Sequence, residues 1–430
     1  MPAFTLRLNA PAVISAEEAK TSFYWLGDGS SSFTTGLGPN LGILGPVPDL
    51  SVDLVRVAVA VYAADRSTYR ASADSNWNQR NIQLAIPVSD AARWQAVAVD
   101  LASVIGFLTG DSWSLRFDEE QAPVETVGEK PEASSKRVVL LSGGADSAVG
   151  ALLSRSQLAP DERHILLSHY SASFFAPIQR AVAETAEQLL PGPAQQHIQI
   201  HLSRKQKRMD GTDYPTEQSS RSRSLLFLAL GLAVASVDAV PLWIPENGFA
   251  ALNPPLGPER RGSLSTRTTH PTFLAGLTDV LSAVGAHGLI ENPFASLTKG
   301  EMFKRAAALV GGDKASSFLS ATNSCAHTGQ RSFGISPTQG CGVCFGCVIR
   351  RASFTASGVH DVTTYIAPGT NSKLQAWLDD KSVEPAVRNF VTRGVRQRDL
   401  MAISLPNSYP LSDALDLCQR GISELAGLQL

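Results

Sequence analysis

The chain has 430 residues, 43 % of them hydrophobic and 18 % charged, which is ordinary globular usage and argues against a mostly disordered chain or a coiled coil. At about 100 to 200 residues per domain, it is long enough for two or three domains. Its 37 lysines and arginines nearly balance 39 aspartates and glutamates, so no global basic field favours a nucleic-acid partner.

The first part of the chain, residues 1–118, alternates short apolar segments with Gly/Ser-rich turn material. Residues 54–64 (LVRVAVAVYAA) and 82–88 (IQLAIPV) have the composition of buried or half-buried strands. Helical spacing begins at Ala91 and stops at Gly110, before a closing strand. We therefore predict an N-terminal α+β domain. It contains no recognised motif, so partner docking is expected from its position alone.

A polar segment separates this domain from the rest of the chain. Residues 119–136 contain two prolines and five glutamates, which is typical of an exposed linker. Strands then alternate with helical segments of about 10 to 15 residues, which indicates βαβ units. We predict a doubly wound α/β domain over residues 137–360, with helices on both faces of a parallel sheet. Residues 361–430 have a helical pattern and form a predicted C-terminal helical tail.

The segment 142–147, SGGADS, follows an apolar strand and precedes a helix. Its glycines allow a tight turn in which backbone N–H groups approach an anion, and the helix N-terminus adds unpaired donors. Asp146 would suit the Mg²⁺ that accompanies ATP, and the two serines add hydroxyls. An ordinary loop with a helix cap is the alternative interpretation. The candidate nucleotide-binding residues are Ser142, Gly143, Gly144, Ala145, Asp146 and Ser147.

The chain begins without the basic and apolar regions of a secretory signal. Its longest apolar run, residues 225–235, is too short to span a bilayer. We therefore expect a cytoplasmic protein with no membrane partner. In that compartment clustered cysteines are more often metal ligands or catalysts than disulfides.

Four of the five cysteines lie close together in the sequence, and they are Cys325, Cys341, Cys344 and Cys347. They supply the number of thiolates that a closed tetrahedral zinc site needs. A redox C-x-x-C pair would leave Cys325 unexplained, whereas an iron–sulfur cluster takes the same four ligands, so the spacing does not fix the metal. Cys418 lies between leucines in a helical pattern and is interpreted as a core residue.

The turn resembles that of the PP-loop ATP pyrophosphatase superfamily. Together with the cysteines and the arginines after them, it resembles 7-cyano-7-deazaguanine synthase over roughly residues 137–356. The resemblance implies a PP-loop, adenine nucleotide alpha hydrolase-like fold with ATP, Mg²⁺ and Zn²⁺ as cofactors. It also implies an ATP-dependent carbon–nitrogen ligase. That family adenylates 7-carboxy-7-deazaguanine, takes ammonia to form an amide, and dehydrates the amide to a nitrile with a second ATP.

Three cations match family positions. Arg223 corresponds to an arginine at a helix start, Lys299 lies in a Thr-Lys-Gly-Glu string similar to the family's Thr-Lys-x-Glu, and Arg350 follows the last cysteine. With Asp146 these are the predicted catalytic residues, because converging cations would offset the charge of a triphosphate. A solvated surface cation is the alternative for each.

The sequence departs from the family in places that leave the identity of the acceptor amine open. Tyr170 is followed by Ser-Ala-Ser instead of a Tyr-Gly-Gln-His-like string, and a polar insert at 246–271 replaces a family segment. The added N-terminal domain resembles longer synthase-like proteins of bacterial anti-phage defence operons, a relative of which joins a deazaguanine carboxylate to a protein amine. The expected partners are a small-molecule deazaguanine and a protein of the same operon. An RNA-modifying PP-loop enzyme, which the balanced charge disfavours, and a non-catalytic nucleotide-binding assembly protein are the alternatives.

Overall fold

The structure is a computed structural model, and the residues that it describes are 2–27, 31–70, 79–254, 267–367, 369 and 371–428. The strands are β1 (Ala3–Arg7), β2 (Ser22–Tyr24), β3 (Phe33–Thr35), β4 (Asn81–Val88), β5 (Ser112–Glu119), β6 (Val138–Leu140), β7 (Arg163–Tyr170), β8 (Ala194–Arg204), β9 (Leu242–Trp243) and β10 (Ile290–Glu291). The helices are α1 (Ala16–Thr21), α2 (Asp49–Arg66), α3 (Ala91–Ala96), α4 (Ala98–Thr109), α5 (Ala145–Ser156), α6 (Ala176–Leu189), α7 (Arg223–Asp238), α8 (Gly248–Leu252), α9 (Pro271–Val284), α10 (Lys299–Val310), α11 (Gly312–Ser320), α12 (Phe345–Ser357), α13 (Ser372–Lys381), α14 (Glu384–Arg393), α15 (Gln397–Leu400) and α16 (Leu411–Ala426).

The predicted α/β class is confirmed. The N-terminal part forms a parallel four-stranded sheet in the order β2-β1-β4-β5. The predicted strand at 82–88 is β4, the closing strand predicted after Gly110 is β5, and the predicted helix between them is α3 followed by α4. Gly110 ends α4 in the left-handed conformation, with φ of 76°.

The predicted strand at 54–64 is wrong, because these residues form the middle of α2. Alternating valine and alanine resembles a strand, yet every residue from Ser51 to Asp65 is buried, so the helix is enclosed on all sides. The helix packs between the four-stranded sheet and α7. Alanines between the valines remove bulk, which allows this close packing on both faces.

The second sheet has the order β10-β9-β6-β7-β8-β3. Its first five strands are parallel, as predicted for the doubly wound domain, whereas β3 pairs antiparallel with β8 through Phe33 and Arg204. Thus residues 33–35 of the N-terminal part extend the sheet of the predicted α/β domain. The largest hydrophobic cluster also joins both parts, including Val57 of α2 and Leu230 of α7. The division of the chain into domains stays a prediction.

The segment after β5 is irregular from residue 120 to residue 137. Its Val124 is 98 % exposed, but the Glu125 carboxylate accepts hydrogen bonds from the backbone N–H groups of Asn40 (2.7 Å) and Gly42 (2.8 Å). The C-terminal region is helical, and α16 packs on α8 and α12. Among the described residues, no helix is both long and apolar enough to cross a membrane.

Candidate active site

The SGGADS turn lies between β6 and α5, at the carboxyl ends of the parallel strands. Gly143 adopts φ of 87°, which favours glycine, and Gly144 precedes the first residue of α5. The Ser147 hydroxyl accepts from the backbone N–H of Ser142 at 3.2 Å and donates to the Gly144 carbonyl at 2.9 Å. These bonds close the turn on itself, so its shape exists without a ligand.

Asp146, in the first turn of α5, is the most constrained side chain at this site. Its Oδ1 lies 2.8 Å from the Lys299 ammonium, and its Oδ2 accepts from the backbone N–H of Asn247 at 3.2 Å and from the Asn247 Nδ2 at 2.7 Å. Burial alone would raise the pKa of Asp146, but the charge of Lys299 and side-chain hydrogen bonds with Glu246, Lys299 and Asn247 outweigh it and hold the pKa below its ordinary value. Asp146 is therefore an ionised carboxylate in a nearly dry site.

Lys299 begins α10, which is capped by the Thr298 side chain and by Glu301 in a reciprocal capping box. The C-terminal helix α16 adds a second anchor, because the Glu424 carboxylate accepts from the Thr298 hydroxyl and from the Gly300 N–H at 3.1 Å. Gly300 is required by this approach, since a Cβ there would lie 2.4 Å from a Glu424 oxygen. The tail predicted from its helical pattern thus contacts the predicted site.

Arg223, the first residue of α7, is exposed and makes no side-chain hydrogen bond or ion pair with the described residues. One turn later, the Phe227 ring lies 6.2 Å from the ring of His169. Burial, with a smaller contribution from the charge of Arg223, lowers the pKa of His169 to about 4. Through Gln179, whose Nε2 donates to the His169 carbonyl at 3.2 Å and to the Ser142 carbonyl at 3.5 Å, this region adjoins the turn.

Arg350 lies in a different setting, because it is 2 % exposed and its guanidinium is bonded to the chain around it. It donates to the Leu319 carbonyl at 2.6 Å, to the Thr322 carbonyl at 3.0 Å and to the Thr363 hydroxyl at 3.0 Å. Arg350 therefore fixes the segment before the first cysteine. That segment reaches the turn, since the Asn323 N–H donates to the Gly143 carbonyl at 3.0 Å.

The four clustered cysteines converge as predicted. Their Sγ atoms all lie within 4.8 Å of one another, with Cys325 and Cys344 4.0 Å apart and Cys341 and Cys347 3.9 Å apart. Zn–S bonds of about 2.3 Å put the sulfurs of a tetrahedral site about 3.8 Å apart, so the cluster could bind a metal such as zinc. Cys418 is fully buried in the α16 cluster, away from this group.

A cavity of about 360 Å³ lies beside the cysteine cluster, with Cys325 and Cys347 in its wall. Its lining includes Asn323, Cys325 and Arg350, together with hydroxyl side chains such as Thr338 and Tyr365. Its volume is at the lower end of the range of about 300–1,000 Å³ that is usual for small-molecule sites.

Sequence reasoning missed the importance of Asn247 and Glu246. Both lie in the polar insert at 246–271, of which residues 255–266 fall outside the described part of the chain. Asn247 caps α8 by accepting from the Ala250 N–H at 2.9 Å, and its Nδ2 also lies 3.4 Å from Glu246 Oε1. An asparagine before a glycine at the end of a strand was the available signal.

No family model matches the chain. The chain is 29 % identical to the 7-cyano-7-deazaguanine synthase of Cupriavidus taiwanensis over 248 residues, which are 54 % of this chain and 99 % of that protein. Identity to the synthase of Cupriavidus metallidurans is 28 % over 249 residues, 55 % of this chain and 99 % of that one. Identity to the synthase of Cupriavidus necator is 29 % over 248 residues, which are 54 % of this chain and 99 % of that protein. About half of the chain is thus distantly similar to complete proteins named 7-cyano-7-deazaguanine synthase.

Proposed function

We propose that this protein is an ATP-dependent carbon–nitrogen ligase that adenylates a deazaguanine carboxylate, with 7-carboxy-7-deazaguanine as the substrate, and transfers the acyl group to an amine. The observation that carries the proposal is the buried Asp146, held by Lys299 and Asn247 at the end of a preformed anion-binding turn. The distant similarity to proteins named 7-cyano-7-deazaguanine synthase supports the substrate class.

The proposed chemistry has two steps. A carboxylate oxygen of the substrate attacks the α-phosphorus of ATP, and the bond to the β,γ-diphosphate breaks with pyrophosphate as the leaving group. The amine then attacks the acyl carbon, the C–O bond to the adenylate breaks, AMP leaves, and the amine nitrogen releases a proton. With ammonia as the amine, the primary amide could be dehydrated to a nitrile at the expense of a second ATP.

The residues have distinct proposed roles. The N–H groups of the turn and the α5 N-terminus bind the diphosphate, on which negative charge develops as pyrophosphate leaves. Lys299 and Arg223 contribute positive charge from two other helix N-termini. Arg350, predicted as a catalytic cation, is proposed to act by holding Asn323 against the turn, because four of its N–H groups already have partners in the chain.

The proposed metal cofactors are those that the carboxylates and thiolates of the site would bind. Asp146 and Glu246, which share the Asn247 amide, are the carboxylates that would hold Mg²⁺, and the ion would offset the charge of the diphosphate. The four cysteines would hold Zn²⁺ in a closed site with a structural role, tying the segment at Cys325 to the start of α12. The cavity beside the cysteine cluster would take the deazaguanine.

ATP–pyrophosphate exchange tests this function. Zinc-loaded protein should exchange labelled pyrophosphate into ATP only when a deazaguanine acid is present. Asp146→Asn should lower the rate by at least about 100-fold, because it removes charge from the reacting centre. Asp100→Asn, at an exposed position on α4, is the matched control and should leave the rate unchanged. Absence of exchange with every deazaguanine acid would overturn the proposal; nucleotide binding without exchange would favour an assembly protein.

The acceptor amine is a separate part of the proposal. The resemblance to longer synthase-like proteins of defence operons suggests a protein amine, whereas the named relatives suggest a route to a nitrile. Mass spectrometry of a neighbouring operon protein after co-expression separates the two. A deazaguanine-sized mass increase that is lost with Asp146→Ala supports protein conjugation in anti-phage defence, and free nitrile product contradicts it.

A further inference from the structure

The N-terminus of α7 is held by a carboxylate from the N-terminal part of the chain. Asp65, in the last turn of α2, is fully buried. Its Oδ2 accepts from the N–H of Ser222 at 2.9 Å, the Ser222 hydroxyl at 2.7 Å, the N–H of Arg221 at 2.8 Å and the Ser220 hydroxyl at 3.1 Å. The carboxylate therefore occupies the place where a helix N-terminus presents its unpaired donors.

Asp65 stays charged in this position. Its other oxygen, Oδ1, pairs with Arg80 and, at 3.3 Å, with Arg70. Burial alone would raise the pKa of Asp65, but the arginines and Ser222 outweigh it and keep the pKa below its ordinary value. Asp111 shares both arginines, at 2.9 Å from Arg70 and 2.6 Å from Arg80. Among the described residues, Asp111 accepts no hydrogen bond from residues 220–222.

Arg223 directly follows the anchored residues and begins α7. The N-terminal end of α7 lies near His169, because the ring of Phe227, one turn after Arg223, lies 6.2 Å from the ring of His169. His169 in turn adjoins the SGGADS turn through Gln179. The Arg223 side chain has no hydrogen-bond or ion-pair partner among the described residues, and its backbone is held only as the first residue of α7. The position from which its side chain leaves the helix therefore depends on how Asp65 holds the residues just before it.

We propose that Asp65 is a positioning residue for Arg223, and that the N-terminal part of this chain is therefore a component of the catalytic unit. The proposal rests on the proposed function, since it assigns Arg223 to the adenylation site. It concerns residues outside the span that resembles the synthases. A partner-docking domain would require no such contact with α7.

A double-mutant cycle of Asp65→Asn with Arg223→Ala tests the proposal, with ATP–pyrophosphate exchange as the measurement. Misplacement of a reacting group by about 1 Å can cost about 100-fold in rate, so we expect Asp65→Asn to lower kcat by about 10- to 100-fold. In the Arg223→Ala background the same change should have an effect of less than about twofold. Asp111→Asn is the matched control, because it removes a carboxylate from the same arginines and leaves α7 anchored; it should retain kcat.

Equal losses of kcat in Asp65→Asn and Asp111→Asn, or additive losses in the cycle, would overturn the positioning role. If Asp65→Asn does not fold, Asp65→Glu, which keeps the charge and shifts the anchor, replaces it in the cycle. Amide hydrogen exchange of residues 221–226 gives a readout independent of activity. Amide hydrogen exchange should be faster in Asp65→Asn than in Asp111→Asn even if no deazaguanine acid supports ATP–pyrophosphate exchange. This readout therefore separates failure of this proposal from failure of the proposed function.

Discussion

The N-termini of α7 and α10 carry the same kinds of groups but differ in electrostatics. Each begins with a predicted catalytic cation, and each is anchored by a carboxylate from a distant part of the chain, Asp65 for α7 and Glu424 for α10. Arg223 is exposed and unpaired among the described residues, whereas the Lys299 side chain is 11 % exposed and pairs with Asp146 at 2.8 Å.

The two anchoring carboxylates also differ. Asp65 has two arginine partners, and its pKa is lowered despite burial. For Glu424 burial is the dominant cause, and its pKa is raised because the hydrogen bonds from Thr298 and Gly300 do not compensate for it. The comparison teaches that the α7 anchor is stabilised in its charged form by two arginines, whereas burial favours the protonated form of the α10 anchor.

Replacing Lys299 should have the largest effect, because it alters both chemistry and folding. Lys299→Met leaves the buried Asp146 carboxylate without its cation, and breaking a buried pair in this way costs about 3 to 5 kcal/mol of unfolding free energy. We also expect pyrophosphate exchange to fall by at least about 100-fold. Urea unfolding and exchange assays measure the two losses. Lys304→Met, at an exposed position on the same helix, is the control and should change neither. An unchanged stability would contradict the buried pair.

Replacing Arg223 should separate activity from stability. Arg223→Ala removes an exposed cation that has no partner in the described part of the chain, so the midpoint of urea unfolding should not change. Exchange should fall by about 10- to 100-fold, because the charge near the diphosphate is reduced. Arg305→Ala on α10 is the matched exposed control. A loss of stability equal to that of Lys299→Met would show that the contrast between the two cations is wrong.

The smallest effect is expected from the pH dependence of the α10 anchor. Because the folded pKa of Glu424 is raised, the folded state holds this proton more tightly than the unfolded state. The stability that this protonation contributes is fully present below about pH 4.3, the ordinary pKa of glutamate, and is lost as the pH rises through the pKa of Glu424 in the folded state. In urea unfolding at pH 5 and pH 8, the stability of Glu424→Gln relative to the parent protein should therefore be greater at pH 8 than at pH 5. Arg420→Gln, in the same helix, is the control for a general loss of α16 packing. A greater relative stability of Glu424→Gln at pH 5 than at pH 8 would contradict the raised pKa.

Local patterns were readable from the sequence. The glycine turn before α5 and the cysteine spacing depend on neighbouring residues, and both were predicted with their geometry. Residues 54–64 were read as a strand because valine alternation and all-round burial give the same sequence pattern over a short window. The pairing of residues 33–35 with β8 was missed, because an edge strand of three residues carries almost no periodicity.

The supporting contacts of the site were not readable. Asp65 meets Ser222 across 157 positions of the chain, and Glu424 meets Gly300 across 124. A single acidic residue in a helical pattern gives no sign of a distant partner, so only the fold reveals that these two are anchors. Arg350 shows the converse, because a motif match predicted a catalytic cation and the structure surrounds it with carbonyl and hydroxyl acceptors. Its role stays a prediction.

The central claim is that this site makes an acyl adenylate, and an isotope transfer tests it most directly. The deazaguanine acid is labelled with ¹⁸O in both carboxylate oxygens and incubated with the zinc-loaded protein, ATP, Mg²⁺ and ammonia. One labelled oxygen should leave with AMP when the amine displaces the adenylate, so the AMP should be heavier by one ¹⁸O. Label in inorganic phosphate with ADP as the product, or unlabelled AMP, would contradict the account.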